Sequence, residues 1–311
     1  MLAVAALLGV FALLLAWPVP VVLSRAAWPS QSPAVALALW QAIALGGGLS
    51  MIGCLLVFGS SPAGSLLAAT GALLPHLFIG PIPPEFGVVH LAALTLAAGL
   101  AAHLALNLAL TAVRAERERR RQHQLIALLG DPLPGEPRTR VLAHSLPLAY
   151  CVPGIRTATV LTEGLIEALG ELELRAVIAH ERAHLDQLHH LVLLAFRAWH
   201  SALPWFPIAN RAERSVALLA EMLADDEARH AAGDDALRRA MLQVGSGGEP
   251  GAYADSGGVV PDIEMLEARL ARLGGPVRRP PRALRLAVVS AAVLIVALPI
   301  AALLVSLGGI S

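Results

Sequence analysis

The sequence contains no lysine: its 23 basic side chains are all arginine, and 23 acids balance them to a formal charge of zero. A chain without net charge has no general attraction for a polyanion, so no direct nucleic-acid partner is expected. Cysteine is nearly as scarce. Cys54 lies in an apolar run and Cys151 in the charged half, so a disulfide between them is not expected, and neither has the paired spacing of a zinc or redox motif. Charged residues make up 15% of the chain against 56% hydrophobic ones, with a mean hydropathy of +0.66. That balance excludes an ordinary soluble domain and points to an integral membrane protein whose partner is the lipid bilayer.

Four apolar runs approach the roughly 20 residues that cross a bilayer: residues 2–23, 34–59, 88–113 and 284–308. The first has no basic residue before its apolar core and is followed by Arg25, so it reads as a retained anchor rather than a cleaved signal. "SLLAATGALLPHLFIG", residues 65–80, is too short and too broken by Pro and Gly for a span, and suits a re-entrant or interfacial segment. Arginine clusters "RAERERRRQ" after the third run and "RLGGPVRRPPRALR" before the fourth place both flanks in the cytoplasm under the positive-inside rule, and Arg25 agrees. The expectation is a multi-pass cell-membrane protein with both termini outside. It divides into a three-span region 1–113, a polar cytoplasmic domain 114–283 large enough for its own core, and a last span 284–311.

The polar domain should begin with a basic helix to about Leu129. Two short strands follow, around "VLAHS" and "TATVLT", separated by "LPLAYCVPG". From Glu171 the pattern is helical to Val244, and residues 245–260 form a glycine-rich loop.

The chemistry lies in "VIAHERAHLDQLHH", residues 177–190. His180 and His184 are four apart, on one helix face one turn apart, so both imidazoles can reach one Zn2+. Glu181 beside them suits a general base for the attacking water. A catalytic zinc needs a third protein ligand. His190 has the spacing of a third histidine, but that arrangement needs a glycine where this chain has Gln187, and the helix is expected to run on and carry His190 away. Glu221 in "EMLADDEA" is the better candidate, since a glutamate from a second helix completes His2Glu sites. Asp225, one turn later, suits the outer N–H of a ligating histidine. Asp226 and Glu227 read as solvent residues, Asp186 as a surface acid, and His189 and His190 as surface or core residues of the following turn. His76, His90, His103 and Asn107, in or near the membrane, suit hydrogen bonding between helices. The apolar segment 191–208, with Trp199, Trp205 and Phe206, is expected to pack against the spans or dip into the inner leaflet.

HExxH, the "AYCVPG…TATVLT" pair before it and Glu-x-x-Ala-Asp after it resemble the antirepressor-type membrane metallopeptidases, the BlaR/MecR family of beta-lactam sensor-transducers. The likeness to the HtpX and CAAX-prenyl-protease peptidases is more distant. The resemblance covers the third span to the fourth. It implies a mainly α, integral membrane protein with an α+β zincin-like (gluzincin) domain between the third and fourth of four transmembrane helices. It also implies zinc held by His180, His184 and Glu221, with Glu181 as base and Asp225 behind the ligands. The sensor-transducers carry a penicillin-binding domain after the last span; this sequence ends at Ser311, so sensing through a fused domain is not expected. In zincins a strand beside the active helix pairs with extended substrate; "TATVLT" or "PLAYCVPG" would be that edge, with Cys151 near the cleft and not a nucleophile. The function implied is a zinc endopeptidase in regulatory proteolysis, its substrate a cytoplasmic repressor or the chain itself. The alternatives are HtpX-like turnover of membrane proteins and a non-catalytic signalling scaffold.

Overall fold

Pro18 and Pro33 each open a helix in its first turn, where a backbone N–H would have no partner within the helix. In the computed structural model, which describes residues 1–77, 80–154, 157–204, 207–247, 263–273 and 281–308, α1 (Leu2–Ala16) passes through Trp17 into α2 (Pro18–Arg25). α3 (Pro33–Gly59) follows, then α4 (Leu66–Leu73) in the second connector and α5 (Val88–Leu129). The stretches Leu2–Arg25, Pro33–Gly59, Val88–Leu129 and Arg282–Gly308 are long and apolar enough to cross a membrane, in the four places the sequence marks. Side chains at the crossing points are small, as in membrane helix pairs. A Cβ on Gly46 would stand 2.5 Å from the Ile295 carbonyl oxygen, and one on Gly59 would stand 2.9 Å from that of His90. α5 is one unbroken helix of 42 residues, about 63 Å long at 1.5 Å per residue. Its apolar half and its arginine-rich half therefore move as one rod.

That rod ends on a small sheet. β1 (Gly130–Pro132), β2 (Thr139–Leu142), β3 (Ala149–Val152) and β4 (Ala158–Thr162) lie in the order β1-β2-β4-β3, with β2 and β4 parallel and the other pairs antiparallel. Two strands were expected and four are present. The separator "AYCV" is itself a strand, and "TATVLT" is interior, so of the two edge strands, β1 and β3, it is β3 that lies beside α7. Ile126 of α5 packs with Val152 and Val160, and the His123 ring nitrogen Nε2 lies 3.1 Å from the Pro153 carbonyl oxygen.

Thr162 ends β4 and caps the next helix: its hydroxyl accepts from the Leu165 N–H and donates to the Leu146 carbonyl. The helices that follow are α6 (Glu163–Ala168), α7 (Glu171–Asp186), α8 (His189–Ala202), α9 (Pro207–Ala232), α10 (Asp234–Gly247), α11 (Ile263–Leu273) and α12 (Arg282–Gly308). Most of the stretch 245–260, expected as a loop, lies outside the described residues.

α8 and α9 share a core with the apolar helices α1, α2 and α3. Phe196, Val216 and Leu219 are buried together with Leu15, Leu23, Trp40 and Ile43. The segment 191–202 thus packs against the spans; Trp205 and Phe206 lie outside the described residues. His103 and Asn107 of α5 contribute hydrogen bonds between helices, as expected. His103 Nε2 lies 3.1 Å from the Ala202 carbonyl oxygen, and Ser201 donates to Asn107 Oδ1 at 2.5 Å.

Candidate metal centre

Glu171 and Glu173 in the first turn of α7 suit the positive end of the helix dipole. The helix continues with Ala176 and Ala183 buried. α9 meets it with a stripe of buried alanines, Ala217, Ala220, Ala224 and Ala228, at the spacing of one helix face. Alanine against alanine lets the two backbones come close, and this is what allows Glu221 on α9 to reach both imidazoles of α7. Glu221 Oε2 lies 3.3 Å from His180 Nε2, Glu221 Oε1 lies 3.3 Å from His184 Nε2, and the two Nε2 atoms are 3.2 Å apart.

These separations test whether the residues fit a metal. Ligands at 2.0–2.1 Å in a tetrahedron stand about 3.3 Å from one another, close to the distance between the two imidazole nitrogens and to the distance of each from one oxygen of the Glu221 carboxylate.

Each of the two imidazoles has a partner behind it. His180 Nδ1 lies 3.0 Å from Asp225 Oδ1, in a bent rather than linear contact. Asp225 is held in turn by Arg269 through two parallel bonds of 2.8 and 2.7 Å, and Arg269 reaches Glu221 Oε2 at 2.9 Å. Burial opposes the charged form of Glu221, but Arg269 and His184 prevail and hold its carboxyl well below the usual range. Asp225 is likewise lowered against burial, by Arg269 and His180. Burial also disfavours a charged His180, yet the two carboxylates win and push it up to about 10. Behind His184 stands His189, 1% exposed, the two Nδ1 atoms 3.0 Å apart. Burial drives His189 down to about 4, so it is neutral.

α7 stops at Asp186, a correction to the expectation that it runs on. No glycine is needed, because Leu188 itself takes the left-handed conformation, φ 54°, and α8 restarts at His189. His190 is nevertheless not among the residues whose donor atoms converge; its Nδ1 is buried without a partner, and burial together with Arg119 of α5 lowers its pKa. Asp226, read as a solvent residue, is bound by Arg272 at 2.7 Å, and Glu227 accepts from Gln187 at 3.4 Å. Glu181 is next to the Cys151 thiol of β3, whose pKa is raised by burial and then by Glu181 itself. Cys151 is therefore a protonated neighbour of the cleft. A groove of about 700 Å3 opens on the opposite face of α7, lined by Arg175, Ala179, Arg182 and Glu227, and none of the three ligand candidates borders it.

Sequence reasoning missed Arg269 and His189. Arg269 stands three before Arg272 in an amphipathic "EARLARL", and nothing in that pattern separates a buried arginine from a solvated one. His189 was in view, but its role depends on a helix break that no Gly or Pro announces.

No curated protein and no solved structure matches the chain. Residues 112–241, which hold the sheet, both α7 histidines and Glu221, match the model of Peptidase family M48, so this segment is similar to that family of metal-dependent peptidases rather than to the antirepressor subtype in particular.

Proposed function

We propose that this chain is a membrane-anchored zinc endopeptidase that hydrolyses peptide bonds of a protein substrate on the cytoplasmic face. The observation that carries the reading is the convergence of a ring nitrogen from each of His180 and His184 and a Glu221 oxygen, all within 4.8 Å of one another, within a peptidase-like segment joined to apolar helices of membrane length. Zinc bound there would supply a Lewis acid that polarises the scissile carbonyl and makes water more acidic.

The chain's own residues do the rest. Glu181, between the histidines and β3, takes a proton from the attacking water and returns it to the leaving amine. Asp225 and Arg269 keep His180 and Glu221 aimed at the same point. β3, the edge strand beside α7, offers free backbone groups to an extended substrate, which would lie across Glu181. In regulatory proteolysis the substrate would be a cytoplasmic repressor or the chain itself. The second reading, turnover of membrane proteins, is favoured by the core that α8 and α9 share with the spans, which holds the site close to the bilayer. The test is purified full-length protein in detergent, assayed for zinc content and for cleavage of casein. One zinc per chain and cleavage lost on chelation are expected; a metal-free protein that still cleaves would end the reading.

A further inference from the structure

We propose that His189 is a positioning residue for His184, acting with Gln187 and Glu227 as a hydrogen-bonded chain that fixes the tautomer and ring angle of that ligand. The inference rests on the reading that His184 binds metal through Nε2, the nitrogen that faces Glu221 and His180.

Two Nδ1 atoms 3.0 Å apart require one proton between them, with one nitrogen donating and the other accepting. A ligating imidazole gives its Nε2 lone pair to the metal, so its proton is on Nδ1 and His184 is the donor. His189 then accepts at Nδ1 and carries its own proton on Nε2, which lies 3.0 Å from Gln187 Oε1. The Gln187 amide nitrogen in turn points to Glu227 Oε1 at 3.4 Å. Every donor meets an acceptor without any imidazole being charged, and the carboxylate at the far end polarises the chain so that His184 becomes a better donor to the metal. His180 is supported by a carboxylate directly; His184 is supported by one through two neutral groups.

The backbone gives independent support. In an unbroken helix residues 184 and 189 stand about 140° apart around the axis, at 100° per residue, and cannot face each other. Here they do, ring edge to face with centroids 4.9 Å apart. What brings them round is Leu188, the only non-glycine residue with positive φ among the described residues. Strain of this kind is tolerated where the surrounding structure imposes it. His189, buried and locked on one side to His184 and on the other to Gln187, is what imposes it here.

The experiment is zinc affinity of the full-length protein in detergent, measured by competition with a chromophoric chelator, for wild type, His189→Leu, His189→Asn and Gln187→Leu. His189→Leu should weaken zinc by about 10–100-fold, the usual effect of losing such a partner. His189→Asn places an oxygen acceptor near the lost Nδ1 and should recover most of that loss, which a purely space-filling role would not. Gln187 is exposed, so Gln187→Leu should fold normally and shift affinity in the same direction by less; it keeps the test open if His189→Leu does not fold. Wild-type affinity in His189→Leu, or equal weakness in the Leu and Asn variants, overturns the proposal. Tight zinc in wild type with no peptide cleavage would end the peptidase reading and leave this one standing.

Discussion

Arg272 donates from Nε to the backbone oxygen of Ser30 at 2.8 Å, joining α11 to the connector between the first two spans. The same guanidinium reaches the Met222 carbonyl at 3.1 Å and Asp226 Oδ2 at 2.8 Å, so one side chain ties the connector, the ligand-bearing helix α9 and α11 together. Arg272→Ala should therefore cost about 1.5–3 kcal/mol, the range for hydrogen bonds to a charged group. Thermal unfolding in detergent measures it, and an unchanged midpoint would show that the junction contributes nothing.

The left-handed Leu188 leads to a second prediction. A non-glycine residue in this conformation costs roughly 1–2 kcal/mol, and glycine removes that cost while adding about 0.5–1 kcal/mol of backbone entropy to be lost on folding. Leu188→Gly should thus be neutral to slightly stabilising, because the leucine side chain is half exposed at 51%. Leu188→Val should destabilise, since β-branching is least tolerated there. Loss of stability in Leu188→Gly would mean that the leucine side chain, not the turn, matters.

For the ligand set, His184→Ala and Glu221→Ala should lose most of the zinc, while His190→Ala should keep it, because His190 is not among the residues whose donor atoms converge. Asp225→Asn should retain the fold and weaken zinc by about 10–100-fold. Metal content after gel filtration decides; full occupancy in Glu221→Ala with loss in His190→Ala would reverse the assignment.

How much of this was legible beforehand differs by element. The apolar spans and the helical HExxH are local patterns, and period and length carry them. His180, His184, Glu221 and Asp225 follow from spacing within single helices plus the chemistry of a three-ligand site. β3 has no local mark as a strand, because "AYCV" is four residues long and does not alternate; the family resemblance is what offered it as an edge strand, and it pairs with β4 at the edge of the sheet. Glu227 is exposed, as expected, but Asp226 looked like a solvent residue because its partner Arg272 comes from 46 positions away. Contacts at that separation leave no trace in local pattern.

Topology supplies a further prediction. A reporter fused near Gly245 should behave as cytoplasmic and one fused after Ser311 as external, since arginine clusters hold both flanks of the polar segment inside. Finding both on one side would mean that α12 does not cross.

Glu181 as the base at a metal held by its neighbours is tested by comparing wild type with Glu181→Gln at equal zinc content. The variant changes one carboxylate to an amide of the same shape and leaves His180, His184 and Glu221 in place. Zinc should bind as in wild type, while cleavage of casein, or of the chain itself, should slow by about 10²–10⁴-fold. Cleavage at the wild-type rate by the zinc-loaded variant would show that Glu181 is not the base.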